Sequence, residues 1–184
     1  MVSSERAQAE RRVAQRFLKA VQPKAGSIVA LYWPIGDELD PRPLMQLVSA
    51  EGGSLALPVV ERPGQPLLFR QWTAGDLLAT GHYGIMVPHE DAPEVRPDVI
   101  AVPLLGFDKD CHRLGYGGGF YDRTLEALRD AGGKVRAVGI AFERQRVARL
   151  PRHDGDQPLD MVITEHAVHY PPERAGFRHK TELE

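Results

Sequence analysis

Residues 113–123 read Arg-Leu-Gly-Tyr-Gly-Gly-Gly-Phe-Tyr-Asp-Arg, with four glycines in the five positions 115–119. Glycine adopts positive φ without steric cost and has no Cβ to keep a ligand away from the backbone. Free N–H groups in such a run form a concavity that suits a phosphate. An apolar strand is predicted before it at Val99–Val102, and a helix after it at 122–129. The order strand, glycine loop, helix predicts a nucleotide site at the strand ends of an open α/β sheet.

Glycine clusters also form plain turns, so the glycines alone are weak evidence for a ligand. The loop lacks the Lys-Ser/Thr ending of a Walker motif and the spacing of a dinucleotide G-x-G-x-x-G motif. However, two arginines, one aspartate and three aromatic rings fall within the same eleven residues. This combination favours a phosphate site over a plain turn.

Apolar periodicity predicts an N-terminal helix within residues 1–22 and alternating strands and helices after it. The predicted strands are 28–33, 55–60, 67–72, 99–102, 135–142 and 161–164, and the later helices are 40–50, 122–129 and 143–149. Residues 74–84 have a mixed pattern, and 171–184 are expected to form a flexible tail. The alternation predicts an α/β fold, a three-layer α/β/α sandwich with a mainly parallel open sheet, formed by one domain over residues 1–184.

Composition limits the function classes. The 184 residues carry a net charge of −2, so there is no global basic field to attract nucleic acid or an acidic membrane. No apolar stretch approaches the length of a membrane span, and residues 1–22 do not resemble a signal peptide. The single cysteine, Cys111, cannot form an internal disulfide and has no evident base near it in the sequence. A cytoplasmic location is therefore expected, and a thiol nucleophile is not.

The glycine loop, together with the preceding run Val-Pro-Leu-Leu-Gly-Phe-Asp at 102–108, resembles the signature of the 5-formyltetrahydrofolate cyclo-ligase family, also called 5,10-methenyltetrahydrofolate synthetase. The resemblance extends from about residue 28 to about residue 164. It implies the Rossmann-like fold type of ribose-5-phosphate isomerase and glucosamine-6-phosphate deaminase.

The resemblance also implies an activity, the ATP- and Mg²⁺-dependent cyclisation of 5-formyltetrahydrofolate to 5,10-methenyltetrahydrofolate. The formyl oxygen would be phosphorylated, and ADP and phosphate would be released. The expected partner is this small substrate, and the expected state is a monomer. Two alternatives stay open: a weakly active or non-catalytic folate- or nucleotide-binding relative, and a sugar-phosphate isomerase on the same fold.

By the same resemblance, the reacting centre contains Arg113, Tyr121 and Asp122, with a binding role only for the tyrosine. ATP would be held by Arg113, Leu114, Gly115, Tyr116, Gly117, Gly118, Gly119, Phe120, Tyr121 and Arg123. The folate would contact Trp33, Glu38, Tyr116, Gly117, Gly118, Gly119 and Phe120. Magnesium would be held by Asp122 and Asp156. Taken one at a time, these residues also allow simpler roles: a helix-start aspartate for Asp122, loop acids for Asp156 and Glu38, and a core ring for Trp33.

The sequence departs from the family pattern at two places, and each departure leads to an expectation. Family members usually begin with a basic helix that reaches the ATP phosphates, and Arg6, Arg11 and Arg12 do not match its register. We therefore expect reduced ATP affinity, by about 1.5–3 kcal/mol for each lost charge-assisted contact. Cys111 stands where the family commonly has a turn glycine, which makes the local turn the feature to check.

Overall fold

The computed structural model describes residues 3–172. Three α-helices are present in this range: α1 (Ser3–Val21), α2 (Arg42–Ala50) and α3 (Phe120–Asp130). The strands are β1 (Ile28–Ala30), β2 (Ser54–Val59), β3 (Leu68–Trp72), β4 (Leu78–Thr80), β5 (Met86–Pro88), β6 (Val99–Val102), β7 (Gly106–Phe107), β8 (Arg113–Leu114), β9 (Arg136–Ile140), β10 (Met161–Ile163) and β11 (Val168–His169). Short 3₁₀ turns occur at His82–Gly84 and Glu143–Gln145.

The main sheet has seven strands in the order β11-β10-β9-β6-β1-β2-β3. The five central strands run parallel, and the edge strands β3 and β11 are antiparallel to their neighbours. Two small hairpins, β4–β5 and β7–β8, stand apart from this sheet. The α/β class with a largely parallel sheet, predicted from the alternation of elements, is confirmed.

Side chains of the central strands alternate between two apolar clusters because successive residues of a strand point to opposite faces. Val29 and Leu31 join the cluster that contains Phe17 of α1 and Leu44 of α2. Ala30 joins the cluster on the other face, against α3. Helices therefore cover both faces of the sheet, giving three layers. The likeness to a particular sugar-phosphate enzyme fold type stays a prediction.

Strand order places a switch point between β1 and β6. From β1 the chain moves through α2 to β2 on one side, and from β6 it moves through α3 to β9 on the other. Their register pairs Val29 with Val99 and Ala30 with Ile100. Open α/β sheets bind ligands in the crevice outside the carboxyl ends of strands at such a point. The loops after β1 and β6 are therefore expected to bind the ligand.

Several predicted elements have different bounds. The N-terminal helix within 1–22 is confirmed as α1, whereas the strand at 28–33 ends at Ala30. A helix over 143–149 was expected, but only a 3₁₀ turn forms, because residues 146–147 extend alongside β7: the Val147 N–H donates to the Phe107 carbonyl at 2.8 Å. The β7–β8 hairpin and β11 were not predicted. The tail expected at 171–184 lies, beyond residue 172, outside the described residues.

Within residues 3–172, no helix combines the length and the apolar character that crossing a bilayer requires.

Candidate active site

The loops after β1 and β6 meet at the switch point. The first, residues 31–41, carries Trp33 and Glu38; the second carries the β7–β8 hairpin and the glycine loop. Tyr116 of the glycine loop lies beside the Glu38 carboxylate: burial raises the pKa of both groups, and their mutual interaction further raises that of Tyr116 and partly lowers that of Glu38. Residues 78 positions apart in sequence therefore line one cleft.

The glycine loop leads directly into α3. Gly117 (φ 86°) and Gly119 (φ 63°) occupy the left-handed region that favours glycine. Gly119 is the N-cap of α3, and no side chain caps the helix. Among the described residues, no acceptor is found for the backbone N–H groups of residues 115–119. These free donors, together with the positive end of the α3 dipole, are suited to an anion.

Arg113 lies directly beneath this loop. Its side chain is only 6% exposed, and its Nη2 is 3.0 Å from the Asp122 Oδ1. The guanidinium also stacks over the Tyr121 ring, 5.9 Å from its centroid. Its Nε is buried without a hydrogen-bond partner among the described residues, and a Cβ at Gly115 would stand 3.4 Å from Nη1. A buried cation with a spare donor is thus held against the glycine loop.

Burial lowers the pKa of Arg113, and the negative charges of Asp122 and Asp156 act in the opposite direction. Burial raises the pKa of the Tyr121 phenol well above its ordinary value, with the Glu38 charge adding to the effect. A phenol with such a pKa stays protonated at neutral pH. The geometry therefore gives Tyr121 a packing and stacking role beside the guanidinium, and the ligand-binding role expected from the sequence stays a prediction.

Arg123 serves the loop itself. Its Nη2 donates to the Gly118 carbonyl at 2.6 Å, and its guanidinium stacks over the Phe120 ring at 5.3 Å. A Cβ at Gly119 would come within 2.6 Å of Nη1, so a side chain at that position would displace the arginine. Arg123 thus holds the shape of the loop.

Asp122 and Asp156 lie near each other although 34 positions separate them in sequence. Asp122 Oδ1 accepts the N–H of Gln157, the residue after Asp156, at 3.1 Å. Asp156 is exposed, and its Oδ2 accepts the His153 N–H at 2.8 Å. Each carboxylate keeps its second oxygen, Asp122 Oδ2 and Asp156 Oδ1, without a partner in these bonds. Within the described part of the chain, no cluster of three or more acidic, histidine or cysteine side chains could hold a metal alone.

This donor set fits magnesium in the form that accompanies a nucleotide. Mg²⁺ takes one or two carboxylates from a protein and completes its shell with water and phosphate oxygens. Two neighbouring carboxylates beside an anion-binding loop supply that protein share. The same set would be too sparse for a site that had to be completed by protein ligands only.

On the other side of the cleft, Glu38 is only 7% exposed. Its Oε2 accepts the Ile35 N–H at 2.8 Å. Burial raises the pKa of Glu38, while the hydrogen bonds from Ile35 and Tyr116 lower it by a smaller amount. Trp33 makes an edge-to-face contact with Trp72, with centroids 6.0 Å apart, and Arg42 lies 5.8 Å from the Trp33 ring centroid. A buried carboxylate beside aromatic rings suits a flat heterocycle with adjacent N–H donors.

Two tyrosines near the cleft were not predicted to be site residues. Tyr83, in the 3₁₀ turn between β4 and β5, is 68% exposed, has φ 59° and lies 6.1 Å from the Phe120 ring. Tyr32 is buried, and its hydroxyl donates to the Leu39 carbonyl at 2.7 Å. Tyr83 lies in the segment 74–84 that had no clear pattern. The run Tyr83-Gly84-Ile85, which belongs to the resemblance to the family, was the available signal.

Cys111 adopts φ 60° in the β7–β8 turn, the conformation for which a glycine is commonly used. The turn therefore forms with cysteine in place. Burial raises the pKa of the Cys111 thiol to about 12, so it is protonated at neutral pH. The expectation that this thiol is no nucleophile agrees with the geometry.

Comparison with known proteins places this geometry in context. Residues 1–165 match the model of the 5-formyltetrahydrofolate cyclo-ligase family. The chain is 32% identical over 161 residues to the 5-formyltetrahydrofolate cyclo-ligase of Haemophilus influenzae, covering 85% of each chain. It is 36% identical over 141 residues to that of Escherichia coli K12, covering 74% of this chain and 76% of the relative.

Solved structures give the same result. The NMR structure of Aquifex aeolicus 5,10-methenyltetrahydrofolate synthetase superposes with a TM-score of 0.78 at 33% identity, covering 94% of this chain and 86% of that one. A 5,10-methenyltetrahydrofolate synthetase from Mycoplasma pneumoniae superposes with a TM-score of 0.68 over 90% of both chains, and at 22% identity this likeness concerns the fold alone.

Proposed function

The chain belongs to the 5-formyltetrahydrofolate cyclo-ligase family, and from this premise we propose that it converts 5-formyltetrahydrofolate to 5,10-methenyltetrahydrofolate with Mg·ATP. The formyl oxygen attacks the γ-phosphorus and ADP leaves. N10 then attacks the formyl carbon, N10 loses its proton, and the formyl oxygen departs with the phosphate. Phosphorylation is needed because an amide oxygen is a poor leaving group at neutral pH.

The residues after β6 would hold the nucleotide. The free N–H groups of residues 115–119 bind phosphate oxygens. Arg113 adds a fixed positive charge from below, and its planar donors suit a phosphate better than an ammonium group would. Phosphoryl transfer depends on positioning and electrostatics. A loop held in shape by Arg113 and Arg123 would therefore promote it.

Asp122 and Asp156 would hold magnesium, which neutralises charge on the phosphates when it is bound. In this scheme Asp122 also balances the positive charge of the buried Arg113 guanidinium, whose Nη2 lies 3.0 Å from Asp122 Oδ1. It therefore fixes the side chain that faces the phosphates. Asp156 is the more exposed of the two and contributes a single ligand oxygen.

The loop after β1 would hold the folate. The Glu38 carboxylate accepts hydrogen bonds from adjacent N–H groups of the pterin. Trp33, Tyr116 and Phe120 supply ring surfaces around it. The observation that carries the proposal is the contact of Tyr116 with Glu38. This contact brings the glycine loop and the Glu38 carboxylate, which would bind the folate, to opposite sides of one cleft. Formyl oxygen and γ-phosphate can then meet.

The test is the near-ultraviolet absorbance of the methenyl product, followed with 5-formyltetrahydrofolate and Mg·ATP. Absorbance should rise with ATP present and stay flat when ATP or Mg²⁺ is omitted. Calorimetric binding of both ligands without product formation would instead identify a non-catalytic binding relative. Absence of heat with either ligand would overturn the proposal.

A further inference from the structure

We propose that Arg6 and Glu10 of α1 act as a positioning pair that fixes the Glu38 loop for folate binding. This inference rests on the proposed function, because it assigns the pair to the folate side of that site. It concerns a helix that lies outside both loops of the cleft.

The pair is joined within the helix. Arg6 Nε donates to Glu10 Oε1 at 2.9 Å, one helical turn away. The Glu10 residue is only 8% exposed, and the Arg6 side chain is 28% exposed. The guanidinium also lies 5.6 Å from the centroid of the Phe142 ring, in the segment that follows β9. Arg6 is thus held between its own helix and the carboxyl edge of the sheet.

From this position the pair contacts the backbone on both sides of Leu39. Arg6 Nη2 donates to the Glu38 carbonyl, and Glu10 Oε1 accepts the Asp40 N–H at 3.2 Å. Tyr32 donates to the Leu39 carbonyl between them at 2.7 Å. Three consecutive residues of the loop are therefore tied by side chains, and two of the three bonds come from the pair.

The consequence concerns the Glu38 side chain. Its carboxylate accepts the Ile35 N–H within the loop and lies beside Tyr116 across the cleft, so the backbone at position 38 sets where the carboxylate can reach. Fixing that backbone lowers the entropic cost of presenting the carboxylate to a ligand. Arg6 faces the Glu38 loop, with Asp37 at 3.8 Å. In this position Arg6 is expected to affect the affinity for folate. If Arg6 contacted ATP instead, its loss would weaken the affinity for the nucleotide.

Calorimetry of Arg6→Ala, Arg6→Lys and the control Arg12→Ala with 5-formyltetrahydrofolate alone tests this assignment. Arg12 lies exposed on the same helix. We expect Arg6→Ala to raise the Kd about tenfold, the effect of losing one charge-assisted hydrogen bond. Arg6→Lys should recover part of the loss, because an ammonium can still donate to the Glu38 carbonyl. Arg12→Ala should bind as wild type does.

The KM for ATP, measured in the same variants by product absorbance, should change less than about twofold. A rise in the ATP KM without a change in folate Kd would overturn the positioning role in favour of a phosphate contact. An unchanged folate Kd in a folded Arg6→Ala protein would also overturn it, even if its melting temperature fell. Failure of the wild-type protein to bind folate at all would count against the proposed function instead.

Discussion

The two sides of the cleft are built in opposite ways. The side proposed to bind phosphate, the phosphate side, consists of free backbone donors and a buried arginine with a spare Nε, all within residues 113–119. The folate side presents an acceptor, Glu38, on a loop whose backbone is tied by Tyr32, Arg6 and Glu10. One side is a local motif that provides donors, and the other is an assembly of distant residues that orients one carboxylate. Changes to the first should affect nucleotide use, and changes to the second should affect folate affinity.

The largest expected effect comes from Asp122→Asn. The asparagine keeps an acceptor for the Gln157 N–H but loses the charge that compensates Arg113 and would bind magnesium. We expect kcat to fall by about 100-fold or more, the usual cost of removing a preorganised electrostatic group. The Kd for folate alone should stay unchanged. Product absorbance and calorimetry provide the two readouts.

Asp130→Asn, an exposed change at the end of the same helix, is the matched control and should retain the wild-type rate. Full activity in Asp122→Asn would remove this aspartate from the mechanism. It would also show that the reaction does not need the Asp122 charge beside Arg113.

Gly117→Ala, compared with Gly132→Ala, should have the next largest effect. Both glycines have positive φ, 86° and 72°, and a Cβ at either would meet no atom within 4 Å. Both alanines should therefore lower stability by a similar amount, about 1–2 kcal/mol. Gly117→Ala alone should raise the KM for ATP, by about tenfold, because only its loop is proposed to bind phosphate. Equal ATP KM values in the two variants would contradict the assigned role of the loop.

Glu38→Gln should weaken folate binding by about tenfold and leave the ATP KM unchanged, since a neutral amide is a poorer acceptor for the pterin donors. Folate affinity of the wild type should also fall as the pH drops through the raised pKa of Glu38, starting above the ordinary value of 4.5. The glutamine variant should lack this dependence. Calorimetry across a pH series measures both effects.

The same substitution should affect stability in the opposite direction. Because folding raises the pKa of Glu38, the folded state favours its protonated form, and this contribution to stability is lost as the pH rises above 4.5. At pH 7 the ionised carboxylate is buried at a cost, so Glu38→Gln should melt at the same or a higher temperature than wild type. Below pH 4 the difference should disappear. A glutamine variant that is less stable at pH 7 would show that the carboxylate contributes to folding.

The smallest effect concerns Cys111, in the turn that supports the phosphate side. With burial and a pKa of about 12, the thiol should react with a disulfide reagent at pH 8 at least about 100-fold more slowly than a free thiol. Reaction should become fast only in denaturant. Rapid labelling of the native protein would mean that the β7–β8 turn opens, and that the phosphate side is less rigid than the folate side.

The apolar periodicity and the order strand, glycine loop, helix were enough to predict the α/β class, α1, the buried strands and the place of the glycine loop. These features depend on short-range chemistry: apolar periodicity, and glycine's freedom at Gly117 and Gly119. The prediction of a helix at 143–149 was wrong because pairing of Arg146 with Phe107 of β7 outweighed the local helix propensity. The β7–β8 hairpin was missed because its strands are only two residues long and carry no periodic signal.

The sequence alone determined the family and the place of the glycine loop, because the residues that define both are contiguous and their chemistry is local. Only the tertiary structure decided that Tyr116 meets Glu38, that Gln157 brings Asp156 to Asp122, and that Arg6 reaches the Glu38 carbonyl. These contacts join residues far apart along the chain, and they exist because parallel strands bring their carboxyl ends to one edge of the sheet. No pattern within a single segment encodes that meeting point.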